Sequence, residues 1–279
     1  KLVRSILLGL ALDLRGDTAE AISQLYRQLG WHRRDLTRIK SWRATVRAHA
    51  AADLGLINAP EATPALLKAL NDPDVRVRQA AVWAVGQSGK AALQGLVRLL
   101  GDRNTMVAHR AQEILAERGF EVAASILTYA ETTSIRAGRL AAIELIGWLR
   151  LAAGANLLLR FMTDLDPEIR VKSVKAAAAI GDPVFLGSFH NLLSDASWPV
   201  RCQAAKGLSL FGSPESIPGL SQALRDRHWW VRFYAATALA EIGPAGEEAL
   251  SDALQDSEPL VRDMARYLLE RRQMVPALP

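Results

Sequence analysis

The stretch DPDVRVRQAAVWAVG, residues 72–86, sets Arg78 behind a valine and six residues after an aspartate. Aligned on Val77-Arg78, the chain repeats this frame at Arg47, Arg139, Arg170, Arg201, Arg232 and Arg262, with Ala108 in the one remaining place. Successive frames lie 30 or 31 residues apart. A period of that size belongs to stacked helical pairs, each of which buries its apolar face only against its neighbours.

Each unit has the same internal order. The position six residues before the ladder residue holds Asp72, Asp102, Asp164, Asp195, Asp226 and Asp256, with Ser41 and Thr133 in the other two units. These residue types favour turns and helix starts. Pro167, Pro199 and Pro259 follow in the first helical turn, where a missing N–H costs little. The first helix carries small or aliphatic residues at three- and four-residue spacing, as in Val231, Ala235, Ala238, Leu239 and Ile242, which defines one buried stripe. Glycine-containing breaks at 180–183, 212–214 and 242–246 end it, and a leucine-rich second helix follows.

The unit D-x-x-x-x-[VI]-R-x-x-A-x-x-A-L-x, then a turn and A-x-x-x-L-x-x-A-L, resembles the HEAT-like repeats typified by the phycobilin lyase family. The resemblance covers roughly residues 41–279 and implies an all-α, right-handed α-solenoid of HEAT-like helical hairpins. The units run over about 41–70, 71–101, 102–132, 133–163, 164–194, 195–225, 226–255 and 256–279, behind an atypical helical cap at 1–40. Such repeats serve as scaffolds in unrelated proteins, so the match speaks to fold before function.

Evenly repeated residues make poor candidates for a unique catalytic site. The arginines at 47, 78, 139, 170, 201, 232 and 262 are therefore read as a structural ladder, each guanidinium bridging an aspartate and turn carbonyls with a donor set that lysine lacks. The irregular frames, Ala108, Thr133 and Gly138, lead us to expect a change of curvature or flexibility around residues 102–140.

The resemblance also implies that second helices line a concave face. Their outward positions in frame are Lys68, Arg98, Thr128, Arg160, Asn191, Gln222 and Asp252, a row that runs from basic to neutral to acidic. Adjacent polar positions add Gln94, Asn156, Thr163, Ser194, Arg225 and Gln255. A polar groove of this kind suits an extended peptide or a protein surface better than a small apolar ligand. Trp230 and Phe233 fall in frames that elsewhere hold Arg76 and Gln79 and so read as exposed aromatics, a second candidate contact. Trp229 occupies the frame of Trp198, which places the two indoles to stack across a repeat boundary.

Composition narrows the function classes. Apolar residues make up 50% and charged residues 23% of 279 residues, the balance of a folded chain. One cysteine, Cys202, excludes an internal disulfide framework and reads as a packing residue. Five histidines show no metal-ligand spacing, and the paired His-Glu dipeptides of HEAT-like hydroxylases do not occur, so neither a metal nor another cofactor is expected. No nucleophilic triad order, glycine-rich phosphate loop or CxxC stands out. The expected function is a non-catalytic scaffold for a protein or peptide partner. A bilin lyase-type or chaperone-lyase activity is the alternative the resemblance keeps open. Nucleic-acid binding ranks third, because the basic track of Lys68, Arg98 and Arg160 is short.

The net charge of +5 is concentrated at the start, where residues 1–50 carry ten Lys/Arg against four Asp/Glu. Arg27, Arg33, Arg34, Arg38, Lys40, Arg43 and Arg47 surround a single acid, Asp35. Arg33, Arg34, Arg38, Lys40 and Arg43 suit phosphate-bearing partners, either nucleic acid or the anionic inner face of a membrane. SILLGLALDLRG and DTAEAISQLYRQLG read as two helices with a turn at Arg15-Gly16-Asp17, the second closed by Gly30. The first is too short to cross a bilayer. A similarity to bacterial HEAT-repeat proteins implies a cytoplasmic location with membrane association through sequence preceding Lys1. The last helix is expected to end near Glu270-Arg271-Arg272, with a frayed tail at 274–279.

Overall fold

The computed structural model describes residues 2–14 and 16–274, and the expected tail beyond Met274 lies outside them. Among the described residues there is no strand. The helices are α1 (Leu2–Asp13), α2 (Asp17–Gln28), α3 (Trp31–Arg38), α4 (Ala44–Leu56), α5 (Thr63–Ala69), α6 (Val75–Gly86), α7 (Lys90–Val97), α8 (Thr105–Arg118) and α9 (Ala123–Thr132). They continue as α10 (Arg136–Trp148), α11 (Ala155–Phe161), α12 (Pro167–Ile180), α13 (Leu186–Leu192), α14 (Trp198–Ser209), α15 (Ile217–Ala223), α16 (Trp229–Glu241), α17 (Pro244–Ala253) and α18 (Pro259–Met274). From α4 onward they alternate between a longer first helix, carrying the ladder arginine in every case but α8, and a shorter second one. The fold is an all-α solenoid of helical hairpins. Contacts divide it into two compact units, Lys1–Leu145 and Ile146–Pro279, with the boundary inside α10.

The alanine-rich stripe of the first helices has a specific use. Counting from the ladder arginine, the eighth residue on is glycine in three units, Gly55, Gly86 and Gly147. In each case it faces the sixth residue on in the next unit. A Cβ on Gly55 would stand 2.6 Å from Ala84 Cα, one on Gly86 2.8 Å from Ile114 Cδ1, and one on Gly147 2.8 Å from Ala176 Cα. At Gly55 and Gly147 first helices therefore approach backbone to backbone, whereas Gly86 makes room for the side chain of Ile114. The second helices supply the larger apolar volume: Leu66, Leu93, Leu96, Ile126, Leu158, Phe189, Leu220 and Leu250 are fully buried or nearly so.

In five units the turn out of the first helix is also a frame position. Eleven residues after the ladder residue the backbone is left-handed at Asn58 (φ 41°), Arg150 (φ 47°), Gly181 (φ 74°), Gly212 (φ 56°) and Gly243 (φ 89°). Glycine adopts this conformation without strain, whereas Arg150 holds it at a cost of about 1–2 kcal/mol.

Two expectations are corrected. The N-terminal segment holds three helices rather than two, because Gly30 (φ 69°), which closes α2 as expected just past its cap Leu29, also turns the chain directly into α3. The last helix ends at Met274, two residues past the expected end at Glu270-Arg271-Arg272.

Gly55→Val is expected to cost about 1–3 kcal/mol, since its side chain has no room against α6. A lowered thermal midpoint in circular dichroism checks this, and an unchanged midpoint would show that α4 and α6 can separate freely.

Candidate functional site: ladder, polar faces and basic cap

Each ladder aspartate first organises its own turn. A carboxylate oxygen accepts the backbone N–H two residues on, as in Asp74 N to Asp72 (2.9 Å), Asn104 N to Asp102 (2.8 Å), Ser197 N to Asp195 (2.8 Å) and His228 N to Asp226 (2.8 Å). The helix cap is the residue after that turn: Asp74, Asn104 and Asp166 accept from Arg76 N, Val107 N and Glu168 N. The ladder aspartate is thus a turn former, and its remaining acceptor capacity points at the preceding repeat.

The preceding arginine takes that capacity. Arg47 donates Nε and Nη2 to Asp72 at 2.7 Å each, and Nη1 to the carbonyls of Ser41 (2.9 Å) and Trp42 (3.0 Å) in its own turn. Arg78 binds Asp102 at 2.8 and 3.0 Å and the Asp72 and Pro73 carbonyls at 2.9 and 3.2 Å. Arg170 repeats the pattern on Asp195 (2.8 and 2.7 Å) and Arg201 on Asp226 (2.5 and 3.0 Å). Each guanidinium joins two turns, in geometry that a lysine cannot reproduce.

The irregular frames have local reasons. Ala108 offers no donor to the next turn, and a glycine contact fills the gap. The Tyr129 hydroxyl packs between Gly101 and Gly138, where a Cβ on Gly101 would stand 2.7 Å from it and one on Gly138 would overlap it. Arg139 keeps the bond to its own turn, Nη2 to Thr133 O at 2.6 Å. At the seventh repeat Arg232 holds the Asp226 carbonyl at 2.7 Å, but Arg225 binds the Asp256 carboxylate, and the buried Arg232 Nε has no hydrogen-bond partner.

In the second helices, Lys68, Arg98, Thr128, Arg160, Asn191, Gln222 and Asp252 are all exposed, as are Gln94, Asn156, Thr163, Ser194, Arg225 and Gln255. In the first unit, Gln94, Arg98, Ser125, Thr128, Tyr129 and Thr132 line an open cleft of about 390 Å³. In the second, His190, Ser194, Gln222, Arg225 and Arg227 line one of about 560 Å³, with His190 Nε2 2.8 Å from Ser216 Oγ.

The aromatic readings need correction. Trp198 stacks not on Trp229 but on His228, at 5.1 Å between centroids and 18° between planes. Trp229 instead lies parallel to Phe233 at 5.0 Å and 12°. Phe233 is half-buried rather than exposed, because Trp229, Tyr234 and Tyr267 surround it. Trp230 stays half exposed. Cys202 is buried, and burial raises its thiol pKa.

The basic segment separates into two groups. Arg33, Arg34, Lys40 and Arg43 are exposed, with the Arg43 guanidinium 4.7 Å from the Trp42 ring. Arg38 is drawn inward: its Nη1 binds Asp35 at 2.9 Å and Asp53 at 3.4 Å. Asp35 is fully buried and also accepts Arg4 Nη2 (2.8 and 2.9 Å) and Tyr26 Oη (2.6 Å), while Arg4 reaches Tyr26 Oη (2.8 Å) and Asp53 (2.5 Å). Burial and the bond to Asp35 raise the Tyr26 pKa. Burial opposes the charge on Arg4, but its bonds to Asp35 and Asp53 outweigh that and raise its pKa. Sequence reasoning missed this lock, though its signal was present in the lone arginine of an apolar helix and the lone acid among arginines.

Among the described residues no group of His, Cys, Asp and Glu could hold a metal ion, and no helix is long and apolar enough to cross a membrane. A family profile described as HEAT repeats matches residues 36–116 and 186–270. No curated protein matches the chain in sequence. Among solved structures, the chain is similar to YibA of Escherichia coli, with 18% identity, a TM-score of 0.51 and coverage of 92% of this chain and 99% of that one. It is similar also to Kap95p, in a structure of its complex with RanGDP, with 15% identity and a TM-score of 0.58 over 97% of this chain and 43% of that one. The complex of CpcE and CpcF of phycocyanin lyase from Nostoc sp. PCC7120 aligns at 16% identity with a TM-score of 0.35, over 85% of this chain and 92% of that one.

Asp72, Asp195 and Asp226 have pKa values below the ordinary aspartate value. Burial alone would raise them, and the arginine and backbone N–H donors overcome it. A folded pKa below the unfolded one gives stability that is full above the unfolded value, about 3.9, and is lost as pH falls through the folded one. Asp226→Asn is therefore expected to lower stability at neutral pH and to flatten its decline below about pH 4. Denaturant midpoints measured against pH check this; an acid limb as steep as the native one would contradict it.

Proposed function

The chain belongs to the HEAT-repeat family, and on that premise we propose that it works as a non-catalytic scaffold that holds a protein or peptide partner on the polar faces of its second helices. One observation carries this reading: the same frame position is exposed and polar in seven successive second helices, while neighbouring positions such as Leu66, Leu96, Ile126, Leu158, Leu220 and Leu250 are buried. The faces hold lysine, arginine, amides and hydroxyls, spaced within each compact unit by the repeat. Within a unit they can bind side chains and backbone of an extended segment at intervals. The candidate contacts are Lys68 and Arg98 in the first unit and Arg160, Asn191 and Gln222 in the second, with exposed Trp230 as a separate anchor on a first helix. A lyase-type reading needs a group that breaks the repeat frame and a nucleic-acid reading a basic track over several repeats; the two clefts are lined by polar and apolar residues of successive second helices and the turns beside them, the second cleft with Asp195 and Asp226 among its arginines.

For the N-terminal segment we propose contact with an anionic membrane surface through Arg33, Arg34, Lys40 and Arg43, which places the protein on the cytoplasmic side of that membrane. These four cations are exposed, whereas Arg38 is held by Asp35 and Asp53.

Lys68→Glu, Arg98→Glu and Arg160→Glu, combined in one chain of unchanged helicity, are expected to lose a partner that the native chain retains in a pull-down. Retention of the same partner by this variant would move the site away from the second helices.

A further inference from the structure

The lock beneath the N-terminal helix has a second face. Arg4, Leu8 and Ala11 point α1 inward, where Arg4 is tied to Asp35, Asp53 and Tyr26 and Ala11 is buried. With 3.6 residues per turn, the opposite side falls to Leu2, Ile6 and Leu10. All three are exposed, Ile6 at 52% and Leu10 at 43%. Leu25 on α2 and Leu29, its C-cap, are four residues apart and are exposed as well, at 41% and 47%. A helix pinned by a part-buried guanidinium cannot rotate its apolar side inward without breaking ion pairs to two carboxylates. The apolar face is therefore held outward.

The charge around this face says what covers it. Of the acids nearby, Asp35 is fully buried and neutralised by Arg4 and Arg38, Asp53 is bound by the same two arginines, and Asp17 and Glu20 at the start of α2 are exposed, Glu20 lying 3.6 Å from Arg27. The exposed cations Arg33 and Arg34 lie on α3, which packs beside α2, and Arg34 shares a cleft of about 360 Å³ with Ser5 and Leu8 of α1. Trp42, 83% exposed, lies under the Arg43 guanidinium. Aliphatic side chains, free arginines and an exposed indole together are the composition of a segment lying at the boundary between headgroups and acyl chains. A second protein would match the apolar part but gives no reason for the exposed arginines of α3 beside it, where the helix's one acid, Asp35, is buried.

We infer that α1 is an interfacial helix: Ile6 and Leu10 enter the acyl boundary of an anionic bilayer, while Arg33 and Arg34 bind headgroup phosphates. This deepens the proposed membrane contact and rests on it, adding that the contact is an insertion and not electrostatic adhesion alone. The Arg4–Asp35 lock is the positioning device, since it orients the inserting face.

The test is flotation of the full chain with phosphatidylcholine vesicles, with and without phosphatidylglycerol, comparing the native protein with Ile6→Gln/Leu10→Gln and Arg33→Gln/Arg34→Gln. Circular dichroism and size exclusion confirm that each variant folds. The substituted side chains are exposed or half exposed, so folding is retained. The native chain is expected to float with the anionic vesicles. The arginine variant should weaken binding by about fivefold per charge removed, and the apolar variant by at least about tenfold even at low salt. If the apolar variant floats as well as the native chain while the arginine variant does not, insertion is wrong and surface adhesion stands. A native chain that does not float overturns both readings. A dimer that the apolar variant converts to monomer, without vesicle binding, assigns the face to a second copy of the chain.

Discussion

A bidentate arginine–aspartate pair between consecutive repeats is the interaction on which the rest of this structure depends. The carboxylate shapes its own turn through the backbone N–H two residues on and receives the guanidinium of the repeat before. The guanidinium spends its remaining donors on the carbonyls of its own turn. Each rung therefore fixes the start of one first helix against the start of the next. Arg78 and Asp102 are largely withdrawn from water, so the pair does not add its full Coulomb attraction to stability. Desolvation cancels much of it, and the pair's larger effect is to penalise any register in which one charge is left alone.

The opposite end of the first helices is held by a different force. Gly55, Gly86 and Gly147 admit the backbone or side chain of the next first helix at distances a Cβ would forbid. Dispersion and apolar burial act where helices touch closely, and polar geometry acts where they begin. Where the rung is missing, at Ala108, the close contact among Gly101, Tyr129 and Gly138 takes over the junction. The cap uses the same chemistry in another arrangement: Arg4 and Arg38 share Asp35 and Asp53, so an N-terminal segment outside the repeat frame is still tied to α4, the first helix of the array.

Much of this was legible in residue order because a solenoid writes its contacts periodically. The ladder arginines, the turn aspartates, the alternation of alanine-rich and leucine-rich helices and the polar outward positions all recur at fixed spacing, so one unit teaches the next. What was not legible is aperiodic. The Arg4–Tyr26–Asp35–Asp53 lock joins residues up to 49 apart in a segment with no repeat to compare. The partner of Trp198 was misread because frame equivalence pairs it with Trp229, whereas side-chain direction at the start of α16 delivers His228. Phe233 was taken as exposed from the polarity of its frame, yet its neighbours are themselves aromatic and cover it. Asp256 pairs with Arg225 instead of Arg232, a competition between two nearby cations that spacing cannot resolve.

The most direct test of the ladder is a double-mutant cycle on Arg170 and Asp195, using Arg170→Ala, Asp195→Ala and both together, with stability from denaturant unfolding. Arg170 reaches Asp195 at 2.8 and 2.7 Å, so each single change strands a partly buried charge. The account predicts that the double variant is more stable than the sum of the single losses implies, with a coupling of about 1–3 kcal/mol. Additive losses, with a coupling near zero, would mean that the rungs accompany the stacking of the repeats without specifying it.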